Sequence, residues 1–270
     1  MSLYNLLKKV AERMGLSDTI RWSPLFRFLR DFRHRKQRSL EIRHLAKVIK
    51  PHALCFDIGA CMGSKTDILL RLKARRVVAV EPDPSSVATL KARYGRHPRV
   101  IIVNKATSDK VATETFHVQE QGSALNTLSK KWVSSLENAA VNRFAKIHPF
   151  IQEIPVTTTT LDCLIEQYGV PDVIKLDVEG YELQTLLGLS RKIPFLFFEC
   201  NLPEFLEETL GCLDRLYRLD EATEFNYCID TTDSPNVRFQ LDHWVDFSQM
   251  SRLVRSTDSR FMEIYARTNS

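Results

Sequence analysis

Short apolar runs that end on or beside an acid recur along this chain, with room for one helix between them. Leu54-Cys-Phe-Asp57-Ile, Val77 to Val80 before Glu81, Val100 to Val103, and Phe195 to Phe198 before Glu199 read as strands buried on both faces. So do Val173, Ile174, Leu176 and Val178 around Asp177. Helical spacing fills the gaps. Ile68, Leu69 and Leu72 follow a glycine turn and predict a helix over 65–73; Pro84 to Tyr94 carries proline in its first turn and turns Val87, Ala88 and Leu90 inward. Leu161 to Tyr168 stops at Gly169, a helix-ending glycine, and Leu183, Leu186 and Leu187 form the apolar face of another helix. Strand–helix alternation of this kind predicts an open, mostly parallel α/β sheet.

Other stretches are less regular. Thr115 to Val118 predicts a short strand, Gly122 to Asn126 a loop and Lys130 to Phe144 a helix. Val156 to Thr159 suits a sheet edge, because its threonines alternate poorly. Pro203 to Leu216 reads as a helix, with strands at Phe225 to Ile229 and Phe261 to Ala266. Asp230 to Ser259 has no period, although it holds the motif Asp242-His-Trp-Val-Asp246.

The first strand and its turn carry the chemistry. Asp57-Ile-Gly59-Ala60-Cys61-Met-Gly63 joins a buried strand to a helix whose first N–H groups are unpaired, and glycine lets backbone approach a ligand closely. About twenty residues on, Glu81-Pro82 ends the second strand, where an acid accepts hydrogen bonds from a ribose diol. A dinucleotide fingerprint needs G-x-G-x-x-G, but Cys61 stands two residues after Gly59 and leaves only G-x-x-x-G. Asp57 in the turn would repel a pyrophosphate and tolerate a cationic amino-acid ligand. The pattern therefore favours S-adenosylmethionine over NAD.

Further candidates lie at the other strand ends. Ser108 and Asp109 follow the third strand, where an adenine ring would lie, and either a base contact or a plain turn fits them. Asp177 and Glu179 end the strand beside the first, at the switch point where open α/β sheets bind ligands; Glu179 also suits a helix cap. His117 and His148 fall in the irregular segment 113–154, a length that often covers a substrate.

Composition narrows the classes. At 270 residues and 44% hydrophobic content the chain has a substantial core, with no apolar run near the roughly 20 residues a bilayer span needs. The six cysteines show no metal spacing, and Cys55 and Cys200 sit in apolar runs, which points to a reducing, cytoplasmic setting. Residues 1–50 hold 13 Lys/Arg against 4 Asp/Glu, a net of +9, so the remaining residues carry 5 − 9 = −4. Two domains are expected: a helical basic arm over 1–50, which either packs on the body or contacts anionic lipid or a phosphate-bearing substrate, and a main domain over 51–270. No nucleic-acid motif accompanies the charge, and the Asn/Asp-Pro-Pro-aromatic motif of base methylases is absent from the strand end at Asp177.

Taken jointly, Phe56-Asp57-Ile-Gly-Ala-Cys-Met-Gly63-Ser-Lys-Thr66, Val80-Glu81-Pro-Asp-Pro84, the strand Val156 to Leu161 with Asp162, and Lys175-Leu-Asp177-Val-Glu-Gly-Tyr-Glu182 resemble the FkbM-type family of S-adenosylmethionine-dependent methyltransferases. The resemblance covers residues 52–200, with Cys61 where the family usually has Asn. It implies a Rossmann-like, class I methyltransferase fold: a seven-stranded, mostly parallel sheet with an antiparallel last strand, methylating hydroxyl groups of sugars and secondary metabolites. It also implies that Asp57, Gly59, Ala60 and Gly63 line the methionine moiety, that Glu81 with Pro82 meets the ribose, and that Asp177 faces the sulfonium and substrate. An alcohol nucleophile needs a base, for which Asp177, Glu199 and Glu179 are the strand-end acids, with Asp177 or Glu199 first. No metal ligand is assigned, because the acids lack a specific spacing. An NAD-linked oxidoreductase and a non-catalytic, membrane-attached binding protein are the competing readings.

Overall fold

A computed structural model describes residues 35–140, 142, 144–229 and 237–268. Residues 1–34 of the arm expected over 1–50 therefore lie outside the described residues, as do residues 230–236 of the aperiodic segment.

In chain order the elements are α1 (Arg35–Leu45), β1 (Leu54–Ile58), α2 (Ser64–Arg71), β2 (Arg76–Val80), α3 (Pro84–Tyr94), β3 (Val100–Val103), β4 (Ala106–Thr107), β5 (Thr113–Val118) and α4 (Lys130–Leu136). There follow β6 (Gln152–Thr159), α5 (Leu161–Tyr168), β7 (Val173–Leu176), α6 (Glu182–Leu187), β8 (Phe195–Asn201), α7 (Leu206–Leu219), β9 (Glu224–Ile229), α8 (Phe247–Ser256) and β10 (Phe261–Arg267).

Seven strands form one sheet in the order β3-β2-β1-β7-β8-β10-β9, and β10 alone runs against its neighbours. This is the doubly wound arrangement that the alternating pattern implies. From β1 the chain winds outward through β2 and β3, then returns to place β7 on the other flank of β1. The carboxyl ends of β1, β2 and β7 consequently open a crevice between them.

Helices cover both faces of the sheet. On one side Phe56, Val78, Ile174, Leu196 and Phe198 pack with α5, α7 and α8. On the other, Ile68, Leu69, Val77, Phe197 and Tyr265 form a cluster with α1 and α2. Leu45 and Ile49, from the basic N-terminal segment, are buried in that second cluster. Among the described residues no helix is long and apolar enough to cross a membrane.

Three expectations change. Val156 to Thr159 is no sheet edge: β6 starts at Gln152 and lies in the middle of a separate sheet, β4-β6-β5. Its exposed Gln152, Glu153, Pro155 and Thr157 alternate with inward residues, as in a strand with one wet face. The helix from Lys130 stops at Leu136, because the Asn142 amide donates to the carbonyls of Leu136, Asn138 and Lys146 and folds the chain back. The aperiodic segment contains α8, started by a reciprocal capping pair, Asp246 and Gln249, and anchored by buried Met250 and Val254 and by Phe247, which stacks on Tyr217.

Candidate active site

The turn after β1 is shaped by close approach. Gly59 has φ +70°, and a β-carbon there would stand 1.7 Å from the Asp177 carbonyl oxygen. Gly63, at φ +82°, starts α2, and the Tyr94 hydroxyl donates to its carbonyl at 3.0 Å. Cys61 lies between them at φ 45°. Its N–H donates to Glu81 Oε2 at 2.7 Å, and the Asp83 N–H donates to Glu81 Oε1 at 2.8 Å. Glu81 is thus aimed by two backbone donors, while burial pushes its carboxyl pKa up to about 7.

Asp83 ties down the roof. Its Oδ1 accepts from the Ser85 N–H, and its Oδ2 accepts from the Gly122 N–H at 2.8 Å and the Asn126 amide at 2.9 Å. Thr127 continues the strap, donating through Oγ1 to the Glu179 carbonyl at 2.8 Å. Beneath this loop lies a cleft, open to solvent, whose walls include Gly59, Glu81, Phe116, Asn126, Asp177 and Tyr181.

The floor is charged. Lys175, only 2% exposed, donates to the carbonyls of Ile58 at 3.1 Å and Gly59 at 2.7 Å. Its ammonium also lies 3.2 Å from Asp177 Oδ2 and 3.5 Å from Asp57 Oδ1. Burial favours the neutral amine, but Asp177 and then Asp57 outweigh it and hold Lys175 above its ordinary range.

Of the residues singled out in the sequence, Gly59, Glu81, Pro82, Asp177 and Glu179 line the cleft. Asp57 lies under the turn, fully buried, and takes a hydrogen bond from Thr66 Oγ1 at 2.5 Å. Ala60 packs against Ala79, Leu90 and Tyr94 below it, and Gly63 is closed off by Tyr94. Ser108 and Asp109 stand outside the cleft lining: the Ser108 N–H pairs with the Thr159 carbonyl, and its hydroxyl turns to Asp109 and Glu114. Lys105, Ala106 and Thr107 form the wall there instead. Glu199 borders a narrow neighbouring crevice with Glu182 and Phe205. His117 is buried against Glu153, and neither it nor His148 lines the cleft. Carboxylate oxygens of Asp177, Glu179 and Glu199 lie within 4.8 Å of one another. Lys175, Asp83 and Asn126 are the functional side chains that sequence reasoning did not single out. A lysine inside an apolar strand was the visible signal for the first.

A nucleotide fold with a tight glycine turn, a cleft-lining carboxylate fixed by two backbone donors and acids in place of a phosphate cradle fits S-adenosylmethionine. Fold and site together define a class I methyltransferase. A family model described as the methyltransferase FkbM domain matches residues 57–229, and the chain belongs to that S-adenosylmethionine-dependent family. No curated protein matches it. Among solved structures it is similar to a precorrin-6y C5,15-methyltransferase from Geobacter metallireducens GS-15, at 10% identity over 86% of each chain with a TM-score of 0.44. It is also similar to the plantazolicin methyltransferase BpumL, at 10% identity over 99% of this chain and 96% of that one, TM-score 0.44. A third is an O-methyltransferase from Thermotoga maritima, at 13% identity over 87% of this chain and 66% of that one, TM-score 0.38.

Proposed function

We propose that the protein O-methylates a hydroxyl group of a saccharide, a glycolipid or a secondary metabolite. The observation that supports hydroxyl chemistry is the convergence of Asp177, Glu179 and Glu199 within 4.8 Å at the rim of the cofactor cleft. An alcohol is a weak nucleophile until its proton has somewhere to go, and a carboxylate within reach supplies that place. When bound, S-adenosylmethionine supplies an activated methyl group on a sulfonium. Gly59 and Glu81 hold and orient the donor, the strap at 122–128 limits water, and Asp177 or Glu199 takes the proton from the acceptor oxygen.

The acceptor's seat is a groove that shares Leu128 and Tyr181 with the cofactor cleft. Thr113, Thr115, Ser129 and Gln184 offer it hydrogen-bonding groups suited to a polyhydroxylated ligand, and Tyr181 donates to Glu114 at 2.9 Å at the boundary. The Phe205 ring in the same groove lies under the Lys131 ammonium, 4.9 Å away. All six cysteines are free, in keeping with a reducing, cytoplasmic setting, and the basic residues 1–50 are assigned peripheral contact with anionic surfaces.

The test is a panel of saccharides, glycolipids and hydroxylated metabolites incubated with isotopically labelled cofactor, with products located by mass spectrometry. An O-methyl product is expected. Methylation only at nitrogen or carbon, with tight cofactor binding, would reject the hydroxyl reading.

A further inference from the structure

We propose that Lys175 is a positioning residue that sets the charge around the sulfonium: it holds Asp177 in place and weakens the grip of Asp177 and Asp57 on the cationic donor. This rests on the reading that the cleft seats the donor with its sulfur beside Asp177.

A buried ammonium is costly unless its protons find partners, and Lys175 has four acceptors in reach for three protons. Two of them, the carbonyls of Ile58 and Gly59, end β1 and open the glycine turn. The others are carboxylates on the two central strands. With one side chain the fold thus cross-links β1, its turn and the acid at the end of β7. Because Asp177 Oδ2 is engaged, the second carboxylate oxygen is the one left for the cleft, where the side chain keeps 24% exposure.

The charge count gives this arrangement a chemical consequence. Asp57 and Asp177 contribute −2, and Lys175 brings the trio to −1. Methyl transfer removes positive charge from sulfur as the new bond forms. A strongly negative floor would therefore stabilise the donor more in the ground state than in the transition state, which slows the chemical step. Lys175 limits that effect from below the glycine turn, nearly out of contact with solvent.

A purely structural lysine predicts no selectivity between ligands that differ only in charge at sulfur. S-adenosylmethionine and S-adenosylhomocysteine form that pair. Their dissociation constants should be measured by calorimetry for the full-length wild type, Lys175→Met, Lys175→Arg and the double variant Lys175→Met with Asp177→Asn. Removing one buried unit charge beside the donor's seat should shift the ratio of the two constants about tenfold or more toward the cationic ligand. Lys175→Arg should keep the wild-type ratio, and the double variant, again −1, should return to it. A ratio within twofold of wild type in Lys175→Met overturns the inference and leaves the cofactor reading intact. Should Lys175→Met not fold, Lys175→Gln, which removes the charge and keeps hydrogen-bonding atoms for the two carbonyls, takes its place: the same shift is expected, and a ratio within twofold of wild type overturns the inference. Failure of the wild type to bind either ligand would overturn the cofactor reading and this inference together.

Discussion

The carbonyl oxygen of Asp177 occupies the space that a side chain on Gly59 would need. The two strands meet at this point, so residue 59 has to be glycine both for its left-handed φ of +70° and for the 1.7 Å approach. Gly59→Ala would have to push β7 from β1 or distort the turn. We expect a loss of about 3–5 kcal/mol, the range of severe backbone and packing clashes, read by chemical denaturation. A variant as stable as wild type would mean that the turn adapts freely.

That pair also shows what was legible beforehand. The central strands are buried on both faces, so their apolar runs stand out, and the acids at their ends mark where the runs stop. Lateral packing leaves no such trace. Nothing in Ser108 or Asp109 reveals that the chain just before them forms β4 and pairs with β6, with the Ser108 N–H continuing that pairing to Thr159. Asp57 reads as a ligand contact but sits one layer down, held by Thr66 and facing Lys175. Asp83 looks like a helix cap, and its second role across 39 residues to Gly122 needed the tertiary fold.

Glu81 links cofactor binding to pH. In the free protein burial raises its carboxyl pKa to about 7, so it is largely protonated below that value. A ribose diol donates hydrogen bonds, which favours the ionised form. Binding below pH 7 must therefore release a proton, and affinity should climb as pH rises from about 5.5 to 8. Glu81→Gln should lose roughly 1.5–3 kcal/mol at the upper end of that range and flatten the profile. Calorimetry in buffers of different ionisation enthalpy reads both; a steep profile surviving in the variant would assign the proton elsewhere.

Asp83 controls the roof. Replacing it by alanine removes the acceptor for Gly122 and Asn126 and the cap of α3, whose loss alone costs about 1 kcal/mol. Amide exchange over residues 120–128 should accelerate at least tenfold, and cofactor affinity should fall several-fold. Unchanged exchange in the loop would show that Thr127 suffices to hold it.

The basic N-terminal segment predicts salt-sensitive association. With +9 over residues 1–50 against −4 elsewhere, sedimentation with phosphatidylserine vesicles should be strong in dilute buffer and fall steeply toward about 0.5 M salt. Deleting residues 1–34 removes 7 Lys/Arg and 3 Asp/Glu, a net of +4, and leaves +5 on residues 35–50, so binding should weaken and lose part of its salt dependence. Binding undiminished by the deletion would move the contact to the remainder of the chain.

The strand-end acids separate alignment from proton transfer. Asp177 lines the cleft and is steered by Lys175; Glu199 stands one strand further, against the crevice that shares Phe205 and Glu208 with the acceptor groove. Whichever takes the acceptor's proton, its amide variant keeps the shape and loses the base. Turnover at saturating donor should then drop about 10²–10⁴-fold, the usual share of general base catalysis. Saturation matters, because Asp177→Asn also makes the floor less negative and weakens the donor's binding. Glu199 also acts on Lys175 through its charge, so Glu199→Gln is compared at saturating donor too, and a loss of turnover there identifies Glu199 as the base. If Asp177→Asn and Glu199→Gln both turn over the acceptor at near wild-type rates, neither removes the proton. Glu179 would be next to examine, since it lines the cleft, is held at φ +56° and brings a carboxylate oxygen within 4.8 Å of the other two acids.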